Sequence, residues 1–410
     1  MKIICESQYC TACYACLNTC QHGAIEFYAD NMGYLYPHVN EDLCVDCGMC
    51  MKTCPINHPV ELHHPQKVFA ARNIDKMLLN SCASGGISTS LCRSIILDGG
   101  VVYGCIAPNY RETYHTRADS IEQIAPMQGS KYVQSIIGDI FRDVKKDLRE
   151  GKEVIFTGVP CQVAGLKNYL GKYYKNLLTV DLVCHGVSSQ KYLYENVQDI
   201  FNKYNMDCKD VKLCFRRKFD GPEDSINIRY GLWFDNGLGQ NAGIPLSESD
   251  MPYNNYIAGF MSELILRENC YACQYAQENR IGDITLADFW GLKSSSSVLK
   301  KDGVNLVLVN TEKGQEFFSK IENQIEKEER TLKEAVMGNG RLSHPSKRPK
   351  EKDSFISEYA NGHEEAYNKA LKKYRKDYKR LQIKLKIVTR LRKSKLILNL
   401  YNWLKYRDFR

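Results

Sequence analysis

Eight cysteines near the amino terminus fall into two runs of one spacing, C-x2-C-x2-C-x3-C. The first is Cys10, Cys13, Cys16 and Cys20 in "CTACYACLNTCQ"; the second is Cys44, Cys47, Cys50 and Cys54 in "CVDCGMCMKTCP". Four thiolates at this spacing hold an iron–sulfur cluster, because the tight loop turns successive sulfurs inward and soft sulfur suits iron. Structural zinc more often uses two separated C-x2-C pairs. In a two-cluster ferredoxin the fourth cysteine of each run serves the other cluster. The expected ligand sets are therefore Cys10, Cys13, Cys16 and Cys54 for one 4Fe-4S cluster, and Cys44, Cys47, Cys50 and Cys20 for the other. Pro55 closes the second run, whereas Gln21 follows the first, which is expected to alter the local turn without removing a ligand. Cys5 lies outside the spacing and reads as an ordinary buried cysteine.

Four further cysteines sit at suggestive places. Cys161 follows the apolar run "VIFTG" in "GVPCQ", and Cys184 ends "TVDLVC" just before His185 and Gly186. Cys270 and Cys273 form a C-x2-C pair in "LRENCYACQYA". Residues at the ends of parallel strands share the sheet edge where open α/β folds bind ligands. A C-x2-C loop folded over that edge would complete a four-sulfur site. The plainer alternative is that Cys161 and Cys184 are small core residues, as free cysteines often are. Cys82, Cys92, Cys105, Cys208 and Cys214 have no partner spacing and read as packing residues.

These side chains need elements to position them. The second cysteine run repeats the first at an offset of 34 positions, which defines a ferredoxin-like α+β domain over 1–60. A domain that small is hard to stabilise without metal. "PINHPVELHHPQ", with three prolines, reads as a linker. Beyond it, "VFAAR", "VVYGCIA", "EVIFTG" and "LLTVDLVC" read as buried strands. "GISTSLCRSIILDGG", "IIGDIFRDVKKDLREG", "PCQVAGLKNYLG" and "QKYLYENVQDIFNKY" between them have helical periodicity. Strand–helix alternation predicts an α/β body over 66–340, closing with a strand–turn–helix in "NLVLVNTEKGQEFFSKIENQI". Residues 341–410 form a polar connector and a basic helical tail.

With 410 residues, 43% of them hydrophobic, the chain is long enough for two or three domains with a real core. The opening "MKIICESQYC" lacks the apolar stretch of a signal peptide, and no run approaches the ~18 apolar residues that span a bilayer. Eighteen cysteines in such a chain point to metal sites in a reducing compartment and not to disulfides, so the expected location is cytoplasmic. The formal charge of +8 is uneven. Residues 366–410 carry sixteen Lys and Arg against two acids, a net of +14, which leaves −6 on the rest. In that tail Leu381, Leu385, Val388 and Leu391 form one helical stripe among Lys384, Lys386, Arg390 and Arg392, followed by Tyr401, Trp403 and Tyr406. This pattern suits peripheral attachment to an anionic membrane at its inner face, or packing on the acidic body. No recognised nucleic-acid-binding fold accompanies the basic residues, and no nucleic-acid partner is expected.

Six body motifs appear in order: "SCASGGISTSL", "QGSKYVQS", "VIFTGVPCQVAGLKNYL", "VDLVCHGVSS", "LRENCYACQYA" and "RIGDITLADFWG". Together with the cysteine runs they resemble the coenzyme F-420 hydrogenase/dehydrogenase beta-subunit family, in the branch with an amino-terminal two-cluster ferredoxin domain. The resemblance covers roughly residues 1–320 and implies an iron–sulfur flavoprotein oxidoreductase. An FAD would pass electrons between clusters and a hydride-accepting small molecule, a deazaflavin in archaeal members. A redox partner protein or reduced ferredoxin would stand at the other end, and some bacterial relatives occur beside polysaccharide-assembly genes. The resemblance raises a third cluster at Cys161, Cys184, Cys270 and Cys273 above the packing alternative. It also places Ser84, Gly85 and Gly86 at the flavin phosphates, where a helix N-terminus with close-approaching glycines suits an anion. Ser130, Lys131, Tyr132 and Gln162 join the expected cofactor site, and His185 and Lys131 are the expected catalytic residues, one to relay a proton and one to stabilise reduced flavin. Asn269, Ser188 and Ala287 depart from the family's usual serine, proline and glycine; none of the three is an expected ligand.

Overall fold

The computed structural model describes residues 2–205, 212–218, 228–235, 250–292, 296–298 and 300–393. Cys208 and the tail aromatics Tyr401, Trp403 and Tyr406 lie outside them. Contacts divide the chain into two units, Met1–Arg348 and Pro349–Arg410.

Within the first unit the duplication is visible in the backbone. Two short helices, Ala15–Thr19 and Met49–Thr53, each follow a cysteine loop. In the loops Ala12 and Asp46, and then Tyr14 and Gly48, take positive φ at equivalent positions. Alternating handedness of this kind aims successive backbone N–H groups into a concavity, the nest found at many iron–sulfur sites. Cys20 and Cys54 adopt almost the same extended conformation (φ −71°, ψ 112° and φ −67°, ψ 121°). Proline after Cys54 favours that state, yet Cys20 reaches it before Gln21, so the missing proline does not alter the backbone at the ligand. An antiparallel hairpin of β1 (Ile25–Ala29) and β2 (Leu35–Val39) completes this part.

The body is built on an eight-stranded sheet. Its middle is parallel: β10 (Ile284–Asp288), β7 (Leu177–Leu182), β6 (Val154–Gly158) and β4 (Val101–Asn109). Both flanks are antiparallel, with β5 (Glu112–Ala118) on one side and β11 (Asn305–Val309), β3 (Lys67–Asn73) and β12 (Ile325–Glu329) on the other. The strand order is β12-β3-β11-β10-β7-β6-β4-β5. The four strands expected from apolar runs are β3, β4, β6 and β7, and the four expected helices form as Ile87–Leu97, Ile140–Arg149, Pro160–Leu170 and Gln190–Tyr204. Apolar residues pack on both faces of the parallel strands: Ile155, Leu178 and Val180 on one, Val154, Phe156 and Leu177 on the other. That double burial is why these strands read as unbroken apolar runs. A separate antiparallel pair is formed by β8 (Lys212–Lys218) and β9 (Ile228–Asp235).

The ferredoxin-like part is fastened to the body by buried polar side chains. Arg267, 0% exposed, donates from Nε to the Cys10 carbonyl at 2.8 Å and from Nη2 to the Leu35 carbonyl at 2.9 Å, and its guanidinium lies 4.2 Å from the Tyr36 ring centroid. Tyr34 donates to the Ile265 carbonyl at 2.9 Å, Gln134 to the Thr11 carbonyl at 3.0 Å and Asn18 to the Gly138 carbonyl at 2.7 Å.

The second unit contains the helices Lys352–Tyr359, His363–Ala370 and Lys372–Lys393. Buried Phe355, Tyr359 and Tyr367 meet edge-on or tilted, with centroids 4.9–5.9 Å apart. The expected stripe of Leu381, Leu385, Val388 and Leu391 falls on the third helix. Among the described residues no helix is long and apolar enough to cross a membrane.

Candidate metal centres and the adjoining ring-lined lane

Cys10, Cys13, Cys16 and Cys54 line one small cavity, as the crossed ligand pattern requires. All four are 7–8% exposed. Burial pushes the Cys13 thiol up to about 12 and Cys16 well above its usual value. Such thiols stay protonated until a cation compensates the charge. Cys5 lines the same cavity, within hydrogen-bond reach of the Cys10 and Cys54 sulfurs. Its proton holds those two thiols down, to about 6 and about 7. Cys5 thus borders the cavity of the first cysteine set. The C-x2-C counting passed it over because it stands outside the spacing.

The second set is more open. Cys20, Cys44 and Cys50 are half-buried against one apolar cluster, Cys44 and Cys47 are the charge neighbours of Cys50, and Cys47 is exposed. Lys2 Nζ stands 3.7 Å from Cys44 Sγ. The pseudo-symmetry of the two halves shows again at Thr19 and Thr53, equivalent positions whose hydroxyls meet at 3.1 Å.

The body cysteines come together from three separate elements. Cys161 is the second residue of the Pro160–Leu170 helix after β6, Cys184 lies two residues past β7, and Cys270 and Cys273 belong to the loop after Arg267. Cys184, Cys273 and Cys270 are all electrostatic neighbours of Cys161, and burial drives Cys161 well up and Cys184 to about 12. No group of three or more His, Cys, Asp or Glu side chains among the described residues is arranged around a single metal ion.

Supporting residues fix this edge. Arg280, 1% exposed, pairs with fully buried Asp181 at 2.7 Å, and donates to the Tyr275 carbonyl at 2.8 Å, the Gln277 carbonyl at 3.1 Å and the Leu182 carbonyl at 3.1 Å. It thereby ties the C-x2-C loop to the end of β7, beside Cys184. Gly186 (φ +132°) packs where a Cβ would lie 2.7 Å from Leu266, so the His185–Gly186 turn can close on the segment leading to Cys270. Gln162 turns back on its own helix start: its Oε1 accepts from Val159 N–H at 3.1 Å and its Nε2 donates to the Ser135 carbonyl at 3.1 Å.

From Cys184 a lane of rings leads along the edge. His185 Nε2–H donates to the Phe260 carbonyl at 3.2 Å, and burial lowers its pKa, so the ring is neutral. Its ring stands 5.2 Å from Phe260, which stands 5.0 Å from Tyr132. Tyr132 also meets Phe215 and Tyr230 of the β8–β9 pair. Arg216 lies over Tyr230 and makes a bidentate pair with Asp288 at the end of β10, at 2.9 and 3.0 Å. Its Nε is buried with no hydrogen-bond partner among the described residues.

The expected phosphate loop is placed near this lane by Lys218 of β8, which donates to the Ser84 carbonyl at 3.1 Å and whose burial lowers its ammonium to about 8. The crowding at Gly85 is internal, however. A Cβ there would lie 2.8 Å from both the Ala71 carbonyl and the Asn305 amide. Gly86 (φ +80°) caps the Ile87–Leu97 helix, and Asn305 Oδ1 accepts from Ile87 N–H at 3.2 Å. The Ser84 hydroxyl points to the Val304 carbonyl at 3.4 Å and does not cap that helix. Lys131 donates to the carbonyls of Pro126, Met127 and Gln128 at 2.8–3.0 Å, and Ser130 adjoins it. Ser188 donates to the Tyr132 carbonyl at 3.1 Å and meets the Tyr256 hydroxyl.

Comparison with known proteins agrees with the sequence motifs. Residues 9–58 match the model of the 4Fe-4S dicluster domain, and residues 151–335 match that of the C terminus of the coenzyme F420 hydrogenase/dehydrogenase beta subunit. A similar curated protein is the coenzyme F420-dependent sulfite reductase of Methanocaldococcus jannaschii, 21% identical over 348 residues, which are 78% of this chain and 47% of that protein. The chain spans about half the length of that relative. A chain of the F420-reducing NiFe hydrogenase complex from Methanosarcina barkeri is similar at 18% identity and a TM-score of 0.42, over 74% of this chain and 95% of that one. Residues 151–335 belong to the coenzyme F420 hydrogenase/dehydrogenase beta-subunit family and follow a 4Fe-4S dicluster domain at 9–58.

Proposed function

We propose that the protein is an iron–sulfur flavoprotein oxidoreductase that exchanges electrons between a protein redox partner and a hydride-accepting small molecule. The observation that carries this reading is the convergence of Cys161, Cys184, Cys270 and Cys273 at the carboxyl edge of the parallel strands, beside the lane from His185 to Tyr132. The clusters would supply one-electron transfer, and an FAD would convert it to two-electron chemistry, which clusters do not perform. Residues fit for the flavin are Ser84–Gly86, Ser130–Tyr132 and Arg216, whose unpartnered buried Nε calls for an acceptor. Lys131 is spent on three carbonyls, so its part is to hold the Gln128–Tyr132 turn in place. His185, neutral and buried, serves as a hydrogen-bond donor at the lane's inner end. A deazaflavin of the coenzyme F420 type is the first acceptor to try, given the relative's name.

Anaerobic purification tests this directly. The protein should hold about twelve iron, four per cluster, together with FAD, and the flavin should be reoxidised by deazaflavin. Clusters without flavin would leave a carrier protein that feeds a partner enzyme. Protein that reconstitutes colourless would exclude both. Gly85→Val is a poor probe of the flavin, because the new side chain strikes the sheet first; Arg216→Lys, which keeps a cation beside Asp288, is the cleaner variant.

A further inference from the structure

The buried cysteines of the first set and the mostly half-buried cysteines of the body meet at a single glycine. Gly165 lies one turn beyond Cys161 on the Pro160–Leu170 helix, on the same face. A Cβ at Gly165 would lie 2.8 Å from Cys13 Cβ, 2.9 Å from Cys13 Sγ and 3.3 Å from the Cys13 carbonyl. Real side chains do not approach so closely, and glycine in mid-helix is otherwise a liability. Its absence of a side chain lets the helix that carries Cys161 rest directly on the loop of Cys13. Cys13 is among the electrostatic neighbours of Cys161. Tyr275, 5% exposed, has Cys161, Cys13 and Cys273 as neighbours and fills the space beside the contact. Of the two ferredoxin-type sites, the buried one faces this helix, whereas the other includes exposed Cys47.

We propose that Gly165 is the positioning residue that sets the closest approach between the first ferredoxin-type site and the body site, with Cys13 and Cys161 as the crossing point. The Cys44–Cys50 loop is then the outer port, the Cys10–Cys16 loop the inner station, and the sheet edge the destination. This rests on the reading above, that both groups of cysteines hold clusters. Each crossing moves one electron from a reduced cluster to an oxidised one, supplied from outside by a one-electron donor of the ferredoxin class. No bond forms or breaks.

Full-length Gly165→Ala and Gly165→Val, reconstituted anaerobically with iron and sulfide and reduced with dithionite, test the idea. Every cysteine is intact, so iron content should equal that of the unaltered protein. The magnetic interaction between the first and body clusters, read by electron paramagnetic resonance, should weaken from glycine to alanine to valine. Full iron with an unchanged interaction overturns the proposal. Should these variants fail to fold, ligand variants decide: Cys47→Ser must keep the interaction and Cys16→Ser must abolish it, and the reverse order overturns the proposal. Unaltered protein that binds only the ferredoxin iron defeats the underlying reading first, a result that iron analysis alone identifies.

Discussion

A cysteine's surroundings decide whether it can serve as a ligand, and the chain supplies a contrast. Half-buried Cys161 has four cysteines as electrostatic neighbours, three of them from the body, whereas buried Cys92 lies in the apolar layer beside Leu91 and Ile95. Cys161→Ala should therefore remove about four iron, one cluster, while Cys92→Ala removes none; iron analysis and the visible spectrum check both. Equal iron in the two variants would return Cys161 to the core. At this scale the sequence is readable where ligands are close along the chain, since a spacing of two or three residues is itself geometry. It is not readable at Cys5 or Gly165. Cys5 stands outside the repeated spacing, and Gly165 meets Cys13 only through the fold.

The elements explain what the motif "RIGDITLADFWG" is for. It is β10 with its lead-in, and its Arg280 binds Asp181 of β7 while holding the C-x2-C loop by two carbonyls. Removing one partner of such a buried pair costs about 3–5 kcal/mol. Arg280→Met should lower the melting temperature and release body-cluster iron before ferredoxin iron. Retention of all iron at an unchanged melting temperature would refute that role. A second buried group sets a pH dependence. His115 of β5 accepts from Ser135 through Nδ1 at 2.7 Å and donates from Nε2 to the Thr157 carbonyl at 2.9 Å. Burial lowers its pKa to about 4, and the nearby Lys131 ammonium acts in the same direction. The unfolded chain therefore binds a proton that the folded chain refuses between the ordinary value of 6.5 and about 4. Stability is full above that window and falls through it on acidification, by about 3 kcal/mol in all. Denaturant melts across the window should show this loss, and His115→Gln should flatten it. The parallel middle of the sheet is legible as apolar runs because both its faces are covered. The edge strands β5 and β12 are not: only one of their faces is buried, they carry charges, and β12 finds its partner β3 about 250 residues earlier in the chain.

For the whole molecule, the seam between the ferredoxin-like part and the body rests on Arg267. It is buried, bound to two carbonyls of the small domain and set against Tyr36. Arg267→Met should loosen the seam without touching a ligand, seen as faster hydrogen exchange over residues 10–36 at normal iron content; unaltered exchange would place the seam elsewhere. The basic tail is a separate matter. Each Lys or Arg near an anionic leaflet adds about 1 kcal/mol of attraction, and residues 366–410 have sixteen of them. The full chain should sediment with anionic vesicles at low salt and leave them at high salt, and removal of 366–410 should abolish sedimentation. Binding that survives the truncation would assign it to another surface.

The anchoring of Cys10 through Arg267, of Asn18 through Gly138 and of Thr11 through Gln134 has a consequence for kinetics. A carrier domain on a tether must swing between donor and acceptor, and its delivery slows as the solvent thickens. Here the cysteine loop is bolted at three points to the frame that carries Cys161, so the chain behaves as fixed wiring. Internal electron flow should keep its rate in glycerol or sucrose solutions, and only docking of the outside donor should feel the viscosity.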